Sequence, residues 1–160
     1  MPEAFAGAPV TGTGTVYTVP RDHRLRLELL SFTLTTDNTA GVHSALVRFY
    51  DASLAAYTAR LWDWNEGGGN MTLYYTFGIG LRPFNCTVTT GMAIPCHLPD
   101  TVLAPDTQIQ VSAVNTALAT IAGDTITAIA LYGTFISVVD EPSGTPLDLL
   151  TGFLPSDVPA

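Results

Sequence analysis

The sequence predicts an all-β protein: a two-sheet antiparallel β-sandwich, jelly-roll-like, of about eight strands, with extended N- and C-terminal arms. Three observations predict it. Apolar and polar residues alternate with a period of two through most of the chain, with threonine, valine, tyrosine and isoleucine prominent. No long segment keeps a helical period. Short turn clusters, "PRD", "DNTAG", "DAS", "NEGGGN", "LAPD" and "IAGD", punctuate the alternating runs. The body of the sandwich is expected over 13–139, between arms at 1–12 and 140–160, and no internal repeat is evident.

In chain order, strands are expected at 13–19, 24–36, 44–51, 56–64, 71–79, 85–94, 107–115 and 125–139. Two are simple to orient. Over 71–79 the row Met71, Leu73, Tyr75, Phe77 and Ile79 opposes Thr72, Tyr74, Thr76 and Gly78. Over 107–115 the row Ile109, Val111 and Ala113 opposes Gln108, Gln110 and Ser112. Each has one inward and one outward face. In "LRLELLSFTLTT" the apolar row shifts from Leu25, Leu27 and Leu29 to Leu30, Phe32 and Leu34. A strand changes parity only through an extra residue, so a β-bulge is expected near Leu29-Leu30. The last strand, "TITAIALYGTFISVV", is apolar on both faces, which suits a central strand with a covered outer face or one paired with a neighbouring subunit. Gly133 marks a bend within it.

From Asp140 onward, "DEPSGTPLDLLTGFLPSDVPA" holds four prolines, four acids and no base, which ends the sheet. Within it Leu149, Leu150, Phe153 and Leu154 are apolar enough to dock. The segment reads as an arm that orders on a partner's surface, or as a disordered end. The first dozen residues are expected to behave likewise.

The stretch "RLWDWNEGGGNMTLYYTF" raises a question of facing. Strand 56–64 is expected to meet 71–79 across the turn from Glu66 to Asn70. Alternation that turns Thr58 and Arg60 outward turns Trp62 and Trp64 outward too. Tyr74 on the next strand, with Arg48 and Tyr50 on strand 44–51, would complete a patch of Arg48, Tyr50, Arg60, Trp62, Trp64 and Tyr74. Trp, Tyr and Arg dominate the energetic centres of protein interfaces, while aromatic faces also stack on sugars. Three readings stay open for the tryptophans: core, protein interface and glycan contact.

Composition narrows the classes of function. Only 12% of residues are charged, about half the usual fraction, against 47% hydrophobic. A surface so poor in ions suits coverage by partners. There is no lysine, and the net charge is −8. Beyond Arg82 stand seven acids and no arginine, the wrong sign for contact with nucleic-acid phosphates. The N-terminus lacks the basic start and apolar core of a secretion signal, and no apolar run is long enough to cross a bilayer, so synthesis in a cytosol and no membrane contact are expected.

Cys86 and Cys96 lie symmetrically about Gly91, so a hairpin turning at Thr90-Gly91 would set them opposite each other, as a disulfide or as two buried thiols. His23, His43 and His97 are scattered, and adjacent Asp22 and His23 would point to opposite faces of a strand, a poor metal pair. Asp51, Asp63 and Glu66 are the only carboxylates near the aromatic patch that a glycosidase could use, and they read better as solvated hairpin ends. No nucleophile, phosphate-loop or metalloprotease motif occurs. No enzyme activity, cofactor or metal is expected.

Over Arg24 to Phe135, in "LRLELLSFTLTTDNTAG", "LPDTVLAPDTQIQVSAVN" and "DTITAIALYGTF", the chain resembles virion structural proteins of tailed bacteriophages, in particular jelly-roll decoration or cement proteins of the capsid. The resemblance is one of pattern, and it implies a protein added to the outer surface of an assembled head. There it would stabilise contacts between major capsid subunits as a homo-oligomer, a trimer or dimer, with no catalytic residues. Other virion sandwiches share the pattern, so a head-fibre or tail component that binds a host receptor or glycan through Trp62 and Trp64 is the alternative.

Overall fold

A computed structural model describes residues 1–62, 68–82, 86–88 and 91–138, with backbone alone at 58–60, 62 and 86–88. Within these residues the chain forms twelve strands: β1 (Glu3–Ala6), β2 (Val10–Thr11), β3 (Thr13–Thr18), β4 (His23–Thr35), β5 (Ser44–Asp51), β6 (Ala56–Trp62), β7 (Thr72–Gly78), β8 (Cys86–Val88), β9 (Gly91–His97), β10 (Val102–Leu103), β11 (Gln108–Val114) and β12 (Thr125–Ser137). They make the two-sheet sandwich that the alternation predicts. The larger sheet runs β1-β12-β4-β7-β9-β8, with β10 beside β4 and β2 beside β12; the smaller runs β3-β11-β5-β6. Pairing is antiparallel except between β7 and β9.

The core lies between the sheets and follows the alternation. Leu73, Tyr75 and Phe77 of β7 meet Ile109, Val111 and Ala113 of β11 in one buried cluster with Ala45, Val47 and Phe49 of β5. Phe32, Tyr75 and Phe77 stack, with ring centroids 5.3 and 6.0 Å apart from Phe32. On β4 the buried row runs Leu25, Leu27, then Leu30, Phe32, Leu34. The parity change is a bulge: Tyr132 pairs with Leu29 but Gly133 pairs with Leu27, leaving Glu28 as the extra residue, one position before the expected place. Gly133 lies at this bulge, close against the β4 backbone. A Cβ there would lie 3.2 Å from Leu27 Cα and against the Arg26 carbonyl oxygen.

Three expectations are corrected. The first dozen residues are not a free arm. β1 and β2 add to the edge of β12, and Phe5 packs on Tyr17 and Phe135 at 4.6 and 5.1 Å. An open β12 edge would expose a row of unpaired amides and carbonyls, and this pairing satisfies them. The central position of β12 follows, although Tyr132 and Ile136 on its outer side stay about 40% exposed.

Second, β6 and β7 are not hairpin neighbours: β6 lies in the smaller sheet and β7 in the larger. Third, Gly91 is not a turn residue. It begins β9, where a Cβ would strike the Thr72 carbonyl oxygen. The β8–β9 turn is therefore offset, and Cys86 pairs with Ala93 rather than Cys96. The two cysteines are displaced by about 10 Å along the strands, beyond the Cα separation a disulfide spans. Cys96 is buried, and its thiol lies 3.7 Å from the Ile94 carbonyl oxygen.

Candidate functional site

The outer face of the smaller sheet carries part of the expected patch. Inward Val47 and Phe49 alternate with Arg48 and Tyr50, both half-buried on the opposite face. A register shift at Phe49/Tyr50 brings Tyr57 opposite Tyr50. Their rings meet edge-on at 5.2 Å, and the Arg48 guanidinium lies 5.3 Å from the Tyr57 ring centroid, a cation–π contact. Gln110 and Gln108 of β11 pair with Arg48 and Tyr50. On the other flank the register sets Arg60 opposite Arg48 and Trp62 opposite Leu46. The side chains of Arg60 and Trp62, and the whole of Trp64, Asp63, Glu66, Leu149, Leu150, Phe153 and Leu154, lie outside the described residues.

Arg48 has no carboxylate partner among the described residues, and its buried Nε makes no hydrogen bond. An N–H withdrawn from water without an acceptor is costly. The nearest acid in sequence is turned elsewhere: Asp51 accepts from Ser53 N (2.9 Å), Ser53 Oγ (2.6 Å) and Leu54 N. These bonds, the Ser53 hydroxyl's first, hold the Asp51 carboxyl below its ordinary pKa. Asp51 is thus the cap of a hairpin turn. It also borders a small cleft with Phe49, Thr101, Val102 and Thr107, where no second carboxylate or nucleophilic pair accompanies it.

Tyr74 does not belong to this patch. It pairs with Thr33 and Ala93 on the outer face of the larger sheet, the far side of the sandwich. Adjacency in sequence suggested one surface; the crossing between sheets after β6 makes two. The face that holds Tyr74 has its own character. Two successive cross-strand rows, Ala6-Ala130-Ser31-Thr76-Pro95 and Thr127-Thr33-Tyr74-Ala93, cross it without a charged group among the described residues. Charge begins at the far end of β4, where Arg26 forms a two-pronged bond to Asp100 (2.9 and 2.9 Å) and reaches Glu28 at 2.9 Å. The Arg26 hydrogen bond holds the Asp100 carboxyl below its usual pKa.

One constellation of titratable groups is wholly hidden. His43 and Asp124, both 0% exposed, pair through Nδ1 and Oδ2 at 2.7 Å. The other carboxylate oxygen of Asp124 accepts from Asp37 N (2.8 Å), and His43 Nε2 donates to the Thr39 carbonyl (2.9 Å). Burial pushes the imidazole pKa down; the bonds to Asp124 and Thr39 more than reverse this and leave it raised. Beside the pair, Thr36 donates to the Gly68 carbonyl and accepts from Met71 N, and Asn70 N donates to the Asp37 carbonyl. Residues 36–43, 68–71 and 121–124 are thereby tied together at one end of the sandwich.

Asp37, His43 and Asp124 place donor atoms within 4.8 Å of one another, the one such cluster among the described residues. Every donor atom of His43 and both oxygens of Asp124 already hold an intramolecular partner, so the arrangement reads as a structural clasp. His43 stands 81 positions from Asp124, a separation at which spacing signals nothing. At the opposite end Asp22 and His23, expected to diverge, are hydrogen-bonded at 2.8 Å because Asp22 lies in the turn before β4.

No family model, curated protein or solved structure matches the chain. The reading of its function therefore rests on the surfaces themselves.

Proposed function

We propose that the protein is a structural component of a bacteriophage head, a decoration or cement protein that binds the outer surface of the capsid and stabilises contacts between major capsid subunits. The observation that carries the reading is the uncharged outer face of the larger sheet around Ser31, Thr33, Tyr74, Thr76 and Ala130. Removing a charge from water at an interface costs several kcal/mol unless it is paired. A face of hydroxyl, alanine and tyrosine side chains avoids that cost and favours burial of a broad area, the usual protein–protein contact covering about 800 Å² per partner. Repeated around a symmetric shell, contacts of moderate strength add through multivalency. The resemblance of Arg24–Phe135 to capsid decoration proteins supplies the class of partner.

The test is co-sedimentation of the purified protein with heads assembled from the major capsid protein of the same phage. Wild-type protein should pellet with the heads, and Thr76→Lys or Ser31→Glu should remain in the supernatant with unchanged thermal midpoints. Equal pelleting of the charged variants would refute the assignment of this face. Wild-type protein that never pellets with heads would refute the capsid role.

A further inference from the structure

We propose that the cleft beside Asp51, at one end of the sandwich, binds a primary ammonium group carried on a short alkyl chain. The inference does not depend on the capsid reading.

Strand parity builds the site. Val47 and Phe49 of β5 point into the core, and Asp51, two residues beyond Phe49, continues the same inward row at the strand's end. Its carboxylate is therefore directed at the gap between the sheets. Thr101, Leu103, Ala104 and Thr107, on β10 and the turns beside it, line the cleft with Phe49. Phe49, Leu103 and Thr107 are buried, Asp51 and Thr101 half-buried, and Ala104 exposed. The lining thus joins apolar surface to three oxygen-bearing side chains.

The cleft lacks a cation. All three hydrogen bonds that Asp51 accepts among the described residues end on Oδ1, which leaves Oδ2 unengaged. Those bonds lower the carboxyl pKa, so the group is ionised at neutral pH. A half-buried anion with one oxygen unpaired favours a cationic ligand. The arginines that reach the neighbouring turns are engaged elsewhere, Arg21 with Asp106 and Arg26 with Asp100 and Glu28. The chain has no lysine, so neither it nor a second copy supplies an ammonium side chain.

Size and coordination select among cations. The cleft has a volume of about 160 Å³, below the roughly 300–1,000 Å³ of sites for drug-sized ligands, so a group the size of one side chain fits. A divalent metal takes roughly six oxygen ligands, and a single carboxylate oxygen is on offer. A guanidinium pairs best with both oxygens of a carboxylate, and Oδ1 is already occupied. An ammonium is a point charge with three N–H donors. Asp51 Oδ2 accepts one, the Thr101 and Thr107 hydroxyl oxygens are available for the others, and the methylenes lie against Phe49 and Leu103. A lysine side chain of another protein and a free alkylamine share this chemistry.

The test is an amide-shift titration of the isotope-labelled full-length protein with n-butylammonium chloride at constant ionic strength. Shifts should centre on Asp51, Thr101, Leu103 and Thr107, with a Kd of about 1–10 mM for a ligand of so few atoms. Uncharged n-butanol should bind at least about tenfold more weakly, as should butylammonium to Asp51→Asn, which keeps an oxygen for the Ser53 turn and removes the charge. Nα-acetyl-lysine methylamide that matches butylammonium assigns the site to a protein's lysine. Binding of 1,4-diaminobutane about tenfold tighter than either assigns it to a free diamine. No shifts at these amides up to about 50 mM, equal binding of n-butanol, or unaltered binding to Asp51→Asn would overturn the site. The n-butanol comparison uses wild-type protein alone, so it decides even if Asp51→Asn disturbs the turn.

Discussion

Replacing His43 with alanine removes the cation from a carboxylate that has no access to water. Asp124 would keep one hydrogen bond, from Asp37 N, and lose its 2.7 Å contact to the imidazole. Breaking a buried pair by deleting one partner costs about 3–5 kcal/mol. Against a total stability of about 5–15 kcal/mol for a domain, that is a large fraction, and at about 2–4 °C per kcal/mol for a chain of this size the thermal midpoint should drop by roughly 6–20 °C. The pH dependence identifies the cause. The folded-state pKa of His43 is raised above its ordinary value of about 6.5 by Asp124 and the Thr39 carbonyl, against the opposing effect of burial. A raised pKa means the folded state holds the proton more tightly, so the stabilisation is complete below about pH 6.5 and fades as pH climbs through the folded value. The gap between wild type and His43→Ala should therefore be widest near pH 5.5 and narrow steadily toward pH 9. Urea unfolding of both proteins across that range measures it. A gap that is constant, or that widens with pH, would refute the claim that a protonated imidazole holds the clasp.

Other perturbations follow from the same packing. Gly133→Ala would drive a methyl into the β4 backbone at Arg26 and Leu27 and should cost about 1–3 kcal/mol by the usual penalty for overpacking, read from urea midpoints. Thr36→Val keeps the shape but leaves Met71 N without the Thr36 Oγ acceptor at 2.8 Å; a loss of about 1–3 kcal/mol is expected, and a neutral result would show that water substitutes there. Ala128 holds φ 52° in β12, where a side chain is disfavoured, so Ala128→Gly should be neutral or stabilising by up to about 1 kcal/mol. Destabilisation by that change would show that the positive φ at Ala128 is not a source of strain.

Local pattern carried most of the architecture, and long-range pairing carried what the pattern missed. The alternation in β7 and β11 is visible because each buries one face only, and the bulge on β4 is visible because an inserted residue reverses parity at Glu28. β1, β2 and β10 are two to four residues long, too short for a period, and exist because β12 and β4 offer them an edge. Glycine is the usual sign of a turn, whereas Gly91 lies within β9 and answers a close approach by Thr72. The aromatic patch splits for a related reason: β6 and β7 are successive in sequence, yet the sandwich sends them to opposite sheets. His43 and Asp124 meet only after that folding is complete, although "GDTITAIAL" does show an acid directly ahead of a long apolar strand, a cue that its carboxylate would be drawn inward.

The proposed capsid role sets the uncharged face of the larger sheet against the shell, and a reconstruction of heads decorated with the purified protein would show that face. Density for the sandwich is expected on the outside of the shell, with Tyr74, Thr76 and Ala130 toward the major capsid protein. Density with that face turned to solvent, or no density on the shell at all, would contradict it.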